Sequence, residues 1–394
     1  MGAVRDGGAD IGMAGKRILL LSVPAGAGHV RVADAIQACA SIDPCVAGAV
    51  HLDAMAFAAP RLRKVYTNHY IALVRHAPQL WSRLYRMSNE AAPEGWINRL
   101  RRRVERRACR RLVEHVTALA PDAIVCTHFQ PAEILARQVA AGALRCPLWV
   151  QVTDFDLHRM WVHPHVAGYF APNEEVAFRM RQAGIAQDRI HVTGIPVMPG
   201  FARTHESGMC ARALGLDPAR PIFLLMGGGA GLGGLSAVAR RLLEIPADFQ
   251  LIALAGRNAA ELAALHVLAA QYPGRLAPQG YTDQVERLMA CADLAITKPG
   301  GSTSAECLAM GLPMIVNSPI PGQEDSNANF LLEQGAALKA TDLAALEYRV
   351  RYLLAHPAAL AQMRERARAL GRPQAARQVL GAVLGQLASE HAGV

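Results

Sequence analysis

The sequence predicts an α/β protein in which two doubly wound parallel sheets face a central cleft. Two segments, 17–40 and 221–243, each contain an apolar run, a glycine-rich loop and residues with helical apolar spacing. This succession is typical of the first strand–helix unit of such a sheet. Further short apolar runs alternate with helical stretches after each opening. Two prolines and two glycines interrupt the alternation at 194–200, so we expect the linker between the sheets there.

Eight short apolar runs are predicted to be buried strands. Because the carboxyl ends of parallel strands form one edge of a sheet, we expect the ligands at those edges. The predicted strands are Arg17–Val23, Ala123–Thr127, Leu148–Thr153 and Gly168–Ala171 in the first half, and Pro221–Met226, Gln250–Ala255, Leu294–Thr297 and Pro313–Asn317 in the second.

The length and composition of the chain support this organisation. Its 394 residues are enough for two or three domains, and 52% hydrophobic with 19% charged residues excludes disorder throughout. The segments that we predict are a loose tail at 1–15, an N-terminal domain at 16–198, a C-terminal domain at 199–370 and a terminal helix at 371–394 that can pack back on the N-terminal domain.

The positive charge of the chain is concentrated in one segment. The net charge is +9, whereas residues 61–111 alone hold 14 Arg or Lys and three acidic residues. Aromatic and large apolar residues lie between these bases, a combination that suits the headgroup layer of an anionic membrane. We therefore expect Trp81, Arg101, Arg102 and Arg103 to contact anionic lipid. A solvated helix face and nucleic-acid binding are the alternatives.

The sequence favours a cytoplasmic location. No apolar run reaches the ~18 residues of a membrane-spanning helix, and the glycine-rich start lacks the apolar stretch of a secretory signal. The eight cysteines contain no C-x-x-C pair, so we expect reduced thiols. With the cationic segment, this predicts a protein attached peripherally to the inner face of the cell membrane.

The two glycine-rich loops suit a close approach of the backbone to an anionic ligand. The second loop, at 229–234, matches G-x-G-x-x-G, but the next strand ends without the acid that the ribose of NAD needs. The first loop has Arg31 in place of the third glycine, and the chain contains no G-x-x-x-x-G-K-[ST]. The sequence therefore disfavours a dinucleotide-dependent dehydrogenase and excludes a P-loop.

The segment 293–313 carries the most information about a ligand. It predicts a strand, a turn at Gly300-Gly301 and a helix whose first turn is rich in Ser and Thr. The free backbone amides of that turn can bind a diphosphate. Glu306 lies one turn further and can accept hydrogen bonds from a ribose diol. Lys298 precedes the turn, and a polar loop at 319–327 can bind hydroxyl groups.

These motifs resemble the donor site of glycosyltransferases related to the peptidoglycan enzyme MurG. The N-terminal half has Gly-Ala-Gly-His at 26–29, Thr-His-Phe at 127–129 and a run of Val-Thr-Asp-Phe-Asp followed by His and Trp at 152–161. In these motifs it is similar to monogalactosyldiacylglycerol synthases and bacterial diacylglycerol glucosyltransferases. The resemblance, which covers roughly residues 17–340, implies a GT-B fold of two Rossmann-like domains. It also implies a UDP-hexose donor, a diacylglycerol acceptor and inversion at the anomeric carbon without a metal.

The resemblance also implies roles for individual residues. His29 matches the family's proposed general base, and Glu306 matches the ribose ligand. Tyr281 falls where relatives place an aromatic ring against uracil, with a plain core position as its alternative. Ala230 stands where several relatives have an acid, which leaves the choice of hexose open. The other residues that we assign are Gly300, Gly301, Ser302 and Thr303 to the diphosphate, Gln323 and Glu324 to the hexose, Gly228, Gly229, Arg257, Lys298 and Asn327 to the donor, and Gly28, His128, His158 and Trp161 to the acceptor.

The proton transfer is assigned to a histidine because its ordinary pKa lies near neutrality, and a position at a helix start lowers that pKa. Asp154 can orient His29 or replace it as the base. Asp154 and Asp156 form a D-x-D sequence, which is typical of metal sites. We disfavour that interpretation because the pair lies far in sequence from the diphosphate loop. His163 and His165 are expected to be surface histidines.

Together these features predict inverting transfer of galactose or glucose from a UDP-sugar to the hydroxyl of diacylglycerol, with no cofactor or metal. The first alternative is MurG-type transfer from UDP-GlcNAc to a polyprenyl-diphosphate sugar, against which the run at 152–161 argues. The second is a UDP-sugar epimerase with the same fold. The third is a nucleic-acid binder, which would leave the diphosphate loop and Glu306 without a role.

Overall fold

The computed structural model describes residues 15–24, 26–58, 110–227, 234–317 and 322–392. Within them the chain forms two six-stranded sheets in which every pair of neighbouring strands is parallel. Helices connect most of the strands. This arrangement confirms the predicted α/β class with two doubly wound sheets.

The first sheet lies in the N-terminal domain. Its strands are β1 (Lys16–Ser22), β2 (Val46–Asp53), β3 (Ala123–Cys126), β4 (Leu148–Gln151), β5 (Gly168–Ala171) and β6 (Ile190–Val192). Their order in space is β2-β1-β3-β4-β5-β6. The helices described here are α1 (Ala27–Ala40), α2 (Arg110–Leu119), α3 (Phe129–Ala140) and α4 (Glu174–Gln182).

The second sheet repeats this plan. Its strands are β7 (Ile222–Met226), β8 (Gln250–Gly256), β9 (Leu276–Gly280), β10 (Leu294–Thr297), β11 (Met314–Asn317) and β12 (Ala337–Ala340). Their order is β12-β11-β10-β7-β8-β9. The helices from the linker onward are α5 (Ser207–Ala213), α6 (Leu235–Leu243), α7 (Ala259–Gln271), α8 (Val285–Ala290), α9 (Gly301–Ala309), α10 (Gln323–Glu333), α11 (Leu343–Ala355), α12 (Pro357–Leu370) and α13 (Ala375–Ala392).

All eight predicted strands are present, but four further strands were missed. The missed strands β2, β6, β9 and β12 are the outermost strands of the two sheets. Central strands such as β3, β4 and β5 are buried at every residue, so they read as continuous apolar runs. The outermost strands are partly exposed and carry mixed sequences, with Pro278 inside β9.

Three predicted strands are too long at their carboxyl ends, and the first of them, β1, ends at Ser22 rather than at Val23. β3 ends at Cys126 and β4 at Gln151, rather than at Thr127 and Thr153. Both threonines therefore lie just beyond a strand end, on the edge that faces the cleft. This displacement matters because both contact the predicted base.

The chain passes between the two domains twice. It first leaves β6, runs through a 3₁₀ turn at Pro199–Ala202 and enters α5. It returns after α12, because α13 packs against α1 and shares one core cluster with Ile36. Gly194 lies at this junction with a φ of 89°, and a side chain there would overlap Arg372. Glycine is therefore required where the two passages meet.

Three further observations concern the described part of the chain. None of its helices is long and apolar enough to cross a membrane. Its seven cysteines form no disulfide, and Cys109 lies outside the described residues. No group of three or more His, Cys, Asp or Glu side chains within these ranges could hold a metal ion.

Candidate active site

The two domains touch where α1 and α9 begin. Both helices start directly after a strand, β1 and β10, at the carboxyl edges of their sheets. A Cβ atom added to Gly28 would lie 3.3 Å from the Ser302 hydroxyl, and one added to Gly301 would overlap the carbonyl oxygen of Thr153. Glycines at these two positions therefore let the helix starts approach the opposite domain.

Both helix starts leave their first backbone amides without a side-chain cap. The residue before α1 is Gly26 and the residue before α9 is Gly300, and neither can supply a capping oxygen. The free N–H groups and the dipoles of both helices make this place attractive to an anion. The structure thus brings the predicted diphosphate loop, Gly300 to Thr303, against the loop that carries His29.

His29 is held in one orientation by the neighbouring strand ends. Its Nδ1 lies 2.8 Å from the carbonyl oxygen of Thr127 and 3.0 Å from the hydroxyl of Thr153. A carbonyl oxygen can only accept, so Nδ1 carries the proton and donates it to Thr127. The Nε2 atom is then left with a lone pair that can take a proton.

The pKa of His29 is lowered from its ordinary value. Burial, which disfavours the charged ring, is the largest cause, while the charge of Asp154 and the bond to the Thr127 carbonyl act in the opposite direction. Neutral imidazole is therefore the form present near neutral pH. The lowered value agrees with the expectation from the sequence, although its largest cause is burial and not the helix start.

Aromatic rings form a wall beside His29. The ring of His128 lies edge-on at a centroid distance of 4.7 Å, and Trp161 lies 6.2 Å away. His128 accepts a hydrogen bond at Nδ1 from the backbone N–H of Gln130, and burial holds its pKa well below the ordinary value. His158 accepts from the N–H of Met160 and starts the 3₁₀ turn that carries Trp161. The predicted acceptor residues therefore meet around the predicted base.

Asp154 and Asn327 connect the two domains. The side-chain amide of Asn327 donates to Asp154 Oδ1 over 3.2 Å, and its oxygen accepts from the backbone N–H of Phe155 over 2.8 Å. The rings of Phe155 and Phe330 stack at 4.6 Å beside this bridge. In this structure Asn327, predicted to bind the donor, positions the segment after β4.

Asp154 and Asp156, the two acids of the D-x-D sequence, have different partners. The carboxylate of Asp154 accepts from Asn327, whereas Asp156 pairs with Arg179 at 3.2 Å and accepts from the N–H of Leu157. The two carboxylates are therefore held by different residues, and each has a structural partner of its own.

An ion pair joins Arg31 on α1 to Glu306 on α9. Arg31 Nε lies 3.2 Å from Glu306 Oε1, across a separation of 275 residues in the chain. Burial raises the pKa of Glu306, which is 8% exposed, and the nearby guanidinium lowers it. The predicted ribose ligand is thus held by a cation of the opposite domain.

The remaining predicted donor residues occupy three places. The Arg257 guanidinium lies 4.3 Å from the centre of the Tyr281 ring, and Tyr281 is 61% exposed. The alternative of a core position for Tyr281 is therefore wrong. Lys298 is half-buried just before the α9 start, and Glu324 lies in the first turn of α10, which Gln323 begins. The predicted Gly228, Gly229, Trp81, Arg101, Arg102 and Arg103 lie outside the described residues.

Three residues of this site were not assigned from the sequence. Thr127 and Thr153 orient His29, and Arg31 pairs with Glu306. The two threonines carried a usable signal, because each follows a predicted strand at the edge where ligands bind. The partner of Arg31 could not be found from spacing, since the contact depends on how the two domains face each other.

Two domain families match this chain. Residues 29–197 match the model for monogalactosyldiacylglycerol (MGDG) synthase, and residues 225–379 match the glycosyltransferase family 28 C-terminal domain. The first range begins at His29 and the second includes Gly300 to Glu306. These matches confirm the resemblance that the motifs indicated.

Curated relatives agree with these domains. A processive diacylglycerol beta-glucosyltransferase of Bacillus subtilis is 32% identical over 230 residues, which are 58% of this chain and 59% of that protein. The chloroplastic monogalactosyldiacylglycerol synthase of Spinacia oleracea is 31% identical over 340 residues, which are 81% of this chain and 62% of that protein. The matched part of the chain thus spans 59% to 62% of the length of these relatives.

Solved structures agree on the fold. The crystal structure of MurG from Acinetobacter baumannii superposes with a TM-score of 0.59 at 15% identity, covering 94% of this chain and 99% of that one. At this identity the likeness concerns the fold alone, and it confirms the predicted GT-B architecture.

Proposed function

We propose, from the premise that this chain joins an MGDG synthase domain to a glycosyltransferase family 28 C-terminal domain, that it makes a glycosyldiacylglycerol. It transfers galactose or glucose from a UDP-sugar to the free hydroxyl of diacylglycerol, with inversion at the anomeric carbon. The observation that carries the proposal is that His29, with its proton fixed on Nδ1, lies on the loop that meets the uncapped start of α9.

The reaction is a single displacement. The acceptor oxygen forms a bond to the anomeric carbon while the bond from that carbon to the UDP oxygen breaks, and the hydroxyl proton passes to His29 Nε2. Thr127 and Thr153 hold the imidazole so that this atom faces the cleft. The diphosphate leaves with its negative charge directed at the free amides of Gly300 to Thr303.

Arg31 changes partner during the reaction. In the free protein it neutralises Glu306, whose burial would otherwise disfavour the carboxylate. When the donor enters, the ribose hydroxyls donate to Glu306 and the guanidinium turns to the diphosphate one helical turn away. Arg31 then supplies positive charge to the leaving group, and the proposal includes no metal cofactor.

The acceptor enters from the N-terminal domain. The aromatic wall of His128, Phe129 and Trp161 gives diacylglycerol an apolar surface beside the base. The cationic segment at 61–111, most of which lies outside the described residues, docks this domain on anionic lipid at the inner face of the cell membrane. Flotation with anionic liposomes tests the docking. Binding that survives the change of Arg101, Arg102 and Arg103 to Glu would refute it.

One assay tests the activity and its alternatives. The protein is incubated with diacylglycerol vesicles and labelled UDP-galactose, UDP-glucose or UDP-GlcNAc, and the lipids are separated. We expect label in a glycosyldiacylglycerol from one of the first two donors, and unchanged turnover in excess EDTA. Label entering only a polyprenyl-diphosphate acceptor would favour the MurG-type reaction. No labelled lipid from any donor would overturn the proposal.

A further inference from the structure

A second cavity lies on the side of the first sheet opposite to His29. It has a volume of about 700 Å³ and is formed at the amino-terminal ends of β4, β5 and β6. Residues 382–389 of α13 contribute one of its walls. Because His29 lies at the carboxyl edge of the same sheet, this cavity is separate from the candidate active site.

The walls of this cavity are rich in positive charge. The charge comes from Arg145 and Arg189, since burial lowers the pKa of His191, and Asp188 is the single acidic residue among the described residues that line the cavity. Neither guanidinium makes an ion pair or a side-chain hydrogen bond within the described part of the chain. The excess of cationic groups disfavours a metal ion and favours an anion.

A buried donor without a partner lies in the same place. Trp149, which lines the cavity, is 2% exposed, and its indole Nε1 has no hydrogen-bond partner among the described residues. Its ring stacks on Phe170 at 5.0 Å, and Gly168 makes room for it because a Cβ there would overlap the ring. The N–H is fully buried, so Trp149 offers a ligand its ring and not a hydrogen bond.

The backbone of His165 also indicates a constrained site. Its φ is 61°, a left-handed conformation that residues other than glycine seldom adopt. Such a conformation persists where the surroundings fix it, and it occurs preferentially at binding sites. Its side chain is exposed, as the sequence predicts for a surface histidine.

We propose that this cavity binds the phosphate group of a phosphate monoester. Guanidinium groups pair with phosphate oxygens through two parallel hydrogen bonds, so Arg145 and Arg189 can bind it from two sides. The rings of Trp149 and His191 line the cavity beside the two arginines. A volume of about 700 Å³ is the size of a small-molecule site and leaves room for the organic part of the ester.

The ligand would connect two parts of the chain. Arg145 and Arg189 lie just before β4 and β6 of the first sheet. Gly385 and Gln386 belong to α13, which follows the second domain. Occupation of the cavity therefore stabilises the packing of α13 on the N-terminal domain. Hydrogen exchange of α13 amides should slow when the ligand is present.

Calorimetric titration with glycerol 3-phosphate and with inorganic phosphate tests this site. Saturating UDP is present to fill the donor site, so that any remaining binding occurs elsewhere. We expect the wild-type protein to bind both probes, and the variant Arg145→Gln/Arg189→Gln to bind at least roughly tenfold more weakly. The control Arg181→Gln removes an exposed guanidinium that is bonded to Gln187 and lies outside the cavity. It should bind like the wild type.

A second readout reports on the cavity itself. In a ¹⁵N-edited spectrum of the indole N–H groups, the Trp149 signal, identified by its loss in Trp149→Phe, should shift on addition of glycerol 3-phosphate. Vesicles with phosphatidate and vesicles of equal charge with phosphatidylglycerol distinguish a lipid headgroup from a soluble ester, because the cationic segment binds both and only a headgroup site makes the double variant lose a preference for phosphatidate. No binding in the presence of UDP, or equal binding by the double variant, would overturn the proposal.

Discussion

Helices that follow parallel strands begin in two different ways in this molecule. α4, α7 and α11 begin after Asn173, Asn258 and Asp342, and each of these side chains accepts a hydrogen bond from a backbone N–H of its own first turn. α1 and α9 begin after Gly26 and Gly300, which have no side chain to do this. All five helices occupy equivalent positions after a strand, so the difference lies in one residue.

This difference indicates which helix starts have backbone amides free to bind a ligand. A capping side chain satisfies the helix start from within, while a glycine leaves the amides to a ligand or to water. The two glycine starts named above are also the two that meet across the cleft. A third, α6, begins at Gly234 after β7, on the same edge of the second sheet. α3 differs from the three capped helices named above, because its cap is His128 of the candidate site. We propose that the uncapped starts of α1 and α9 bind the ligand.

The largest effect is expected at the glycine start of the first domain. His29→Ala should lower turnover by ~10²–10⁴-fold, because the proton acceptor is lost while the donor site stays intact. Steady-state turnover and calorimetric UDP binding measure the two consequences. His266→Ala, which removes an exposed histidine of α7, is the control. Equal losses of turnover and of UDP affinity would indicate a structural role for His29.

A smaller effect is expected where the two glycine starts are linked by charge. Arg31→Gln should weaken UDP binding by ~10–100-fold and uridine binding much less, because the guanidinium pairs with the diphosphate and not with the nucleoside. Arg351→Gln, which removes a surface ion pair on α11, is the matched control. If uridine bound more tightly and UDP as before, Arg31 would only obstruct Glu306.

A capping side chain at the start of α9 would remove the difference between capped and glycine starts. Nothing lies within 4 Å of a Cβ added to Gly300, so the Asn side chain of Gly300→Asn has room to cap the helix. Stability should rise by a few tenths of a kcal/mol, while UDP affinity falls by ~10-fold because the amides are occupied. Thermal unfolding and calorimetry measure both. Unchanged UDP affinity would mean that these amides do not bind the diphosphate.

The pH dependence of turnover tests whether Asp154 acts on the pKa of His29 or is itself the base. Turnover requires neutral His29, so it is retained above the lowered pKa of His29 and lost as the pH falls through it. The charge of Asp154 raises that pKa, so Asp154→Asn should lower it further and move the acid limb of kcat to lower pH. A kcat–pH profile shows the shift. Loss of turnover at every pH would instead identify Asp154 as the base.

The smallest effect is expected at a capped start. Asp342→Ala removes the oxygen that accepts from the N–H of Ala345, and should cost ~1 kcal/mol of unfolding free energy. Turnover and UDP affinity should stay as they were, because α11 contributes no predicted site residue. Chemical denaturation measures the loss. A drop in UDP affinity at 25 °C would contradict the division between capped and glycine starts.

The sequence predicted the centre of the fold better than its margins. Central strands such as β3 and β10 are buried throughout, so their apolar runs identify them. β12 lies at a sheet edge, with Leu338 and Lys339 only partly buried, and its four residues carry no clear period. A buried strand can be predicted from its own apolar sequence. An edge strand forms because of the neighbour with which it pairs, so its own sequence is less informative.

The candidate site also has a part that local sequence predicts and a part that it does not. His29 and Gly300 were found because a glycine turn before a helix is a local pattern. The pairing of Arg31 with Glu306 and of Asn327 with Asp154 joins residues 275 and 173 positions apart. Such contacts follow from the orientation of two domains, on which spacing along the chain gives no information.

The double passage between the domains restricts how the cleft can open. One connection follows β6 and the other leads into α13, and they lie side by side where Gly194 meets Arg372. A single tether would let the domains swivel in any direction, whereas two adjacent tethers act as a hinge with one preferred axis. In the proposed reaction, exchange of UDP then requires a defined rotation. That rotation must separate Arg31 from Glu306, Asn327 from Asp154 and the stacked rings of Phe155 and Phe330, so these contacts all stabilise the closed state.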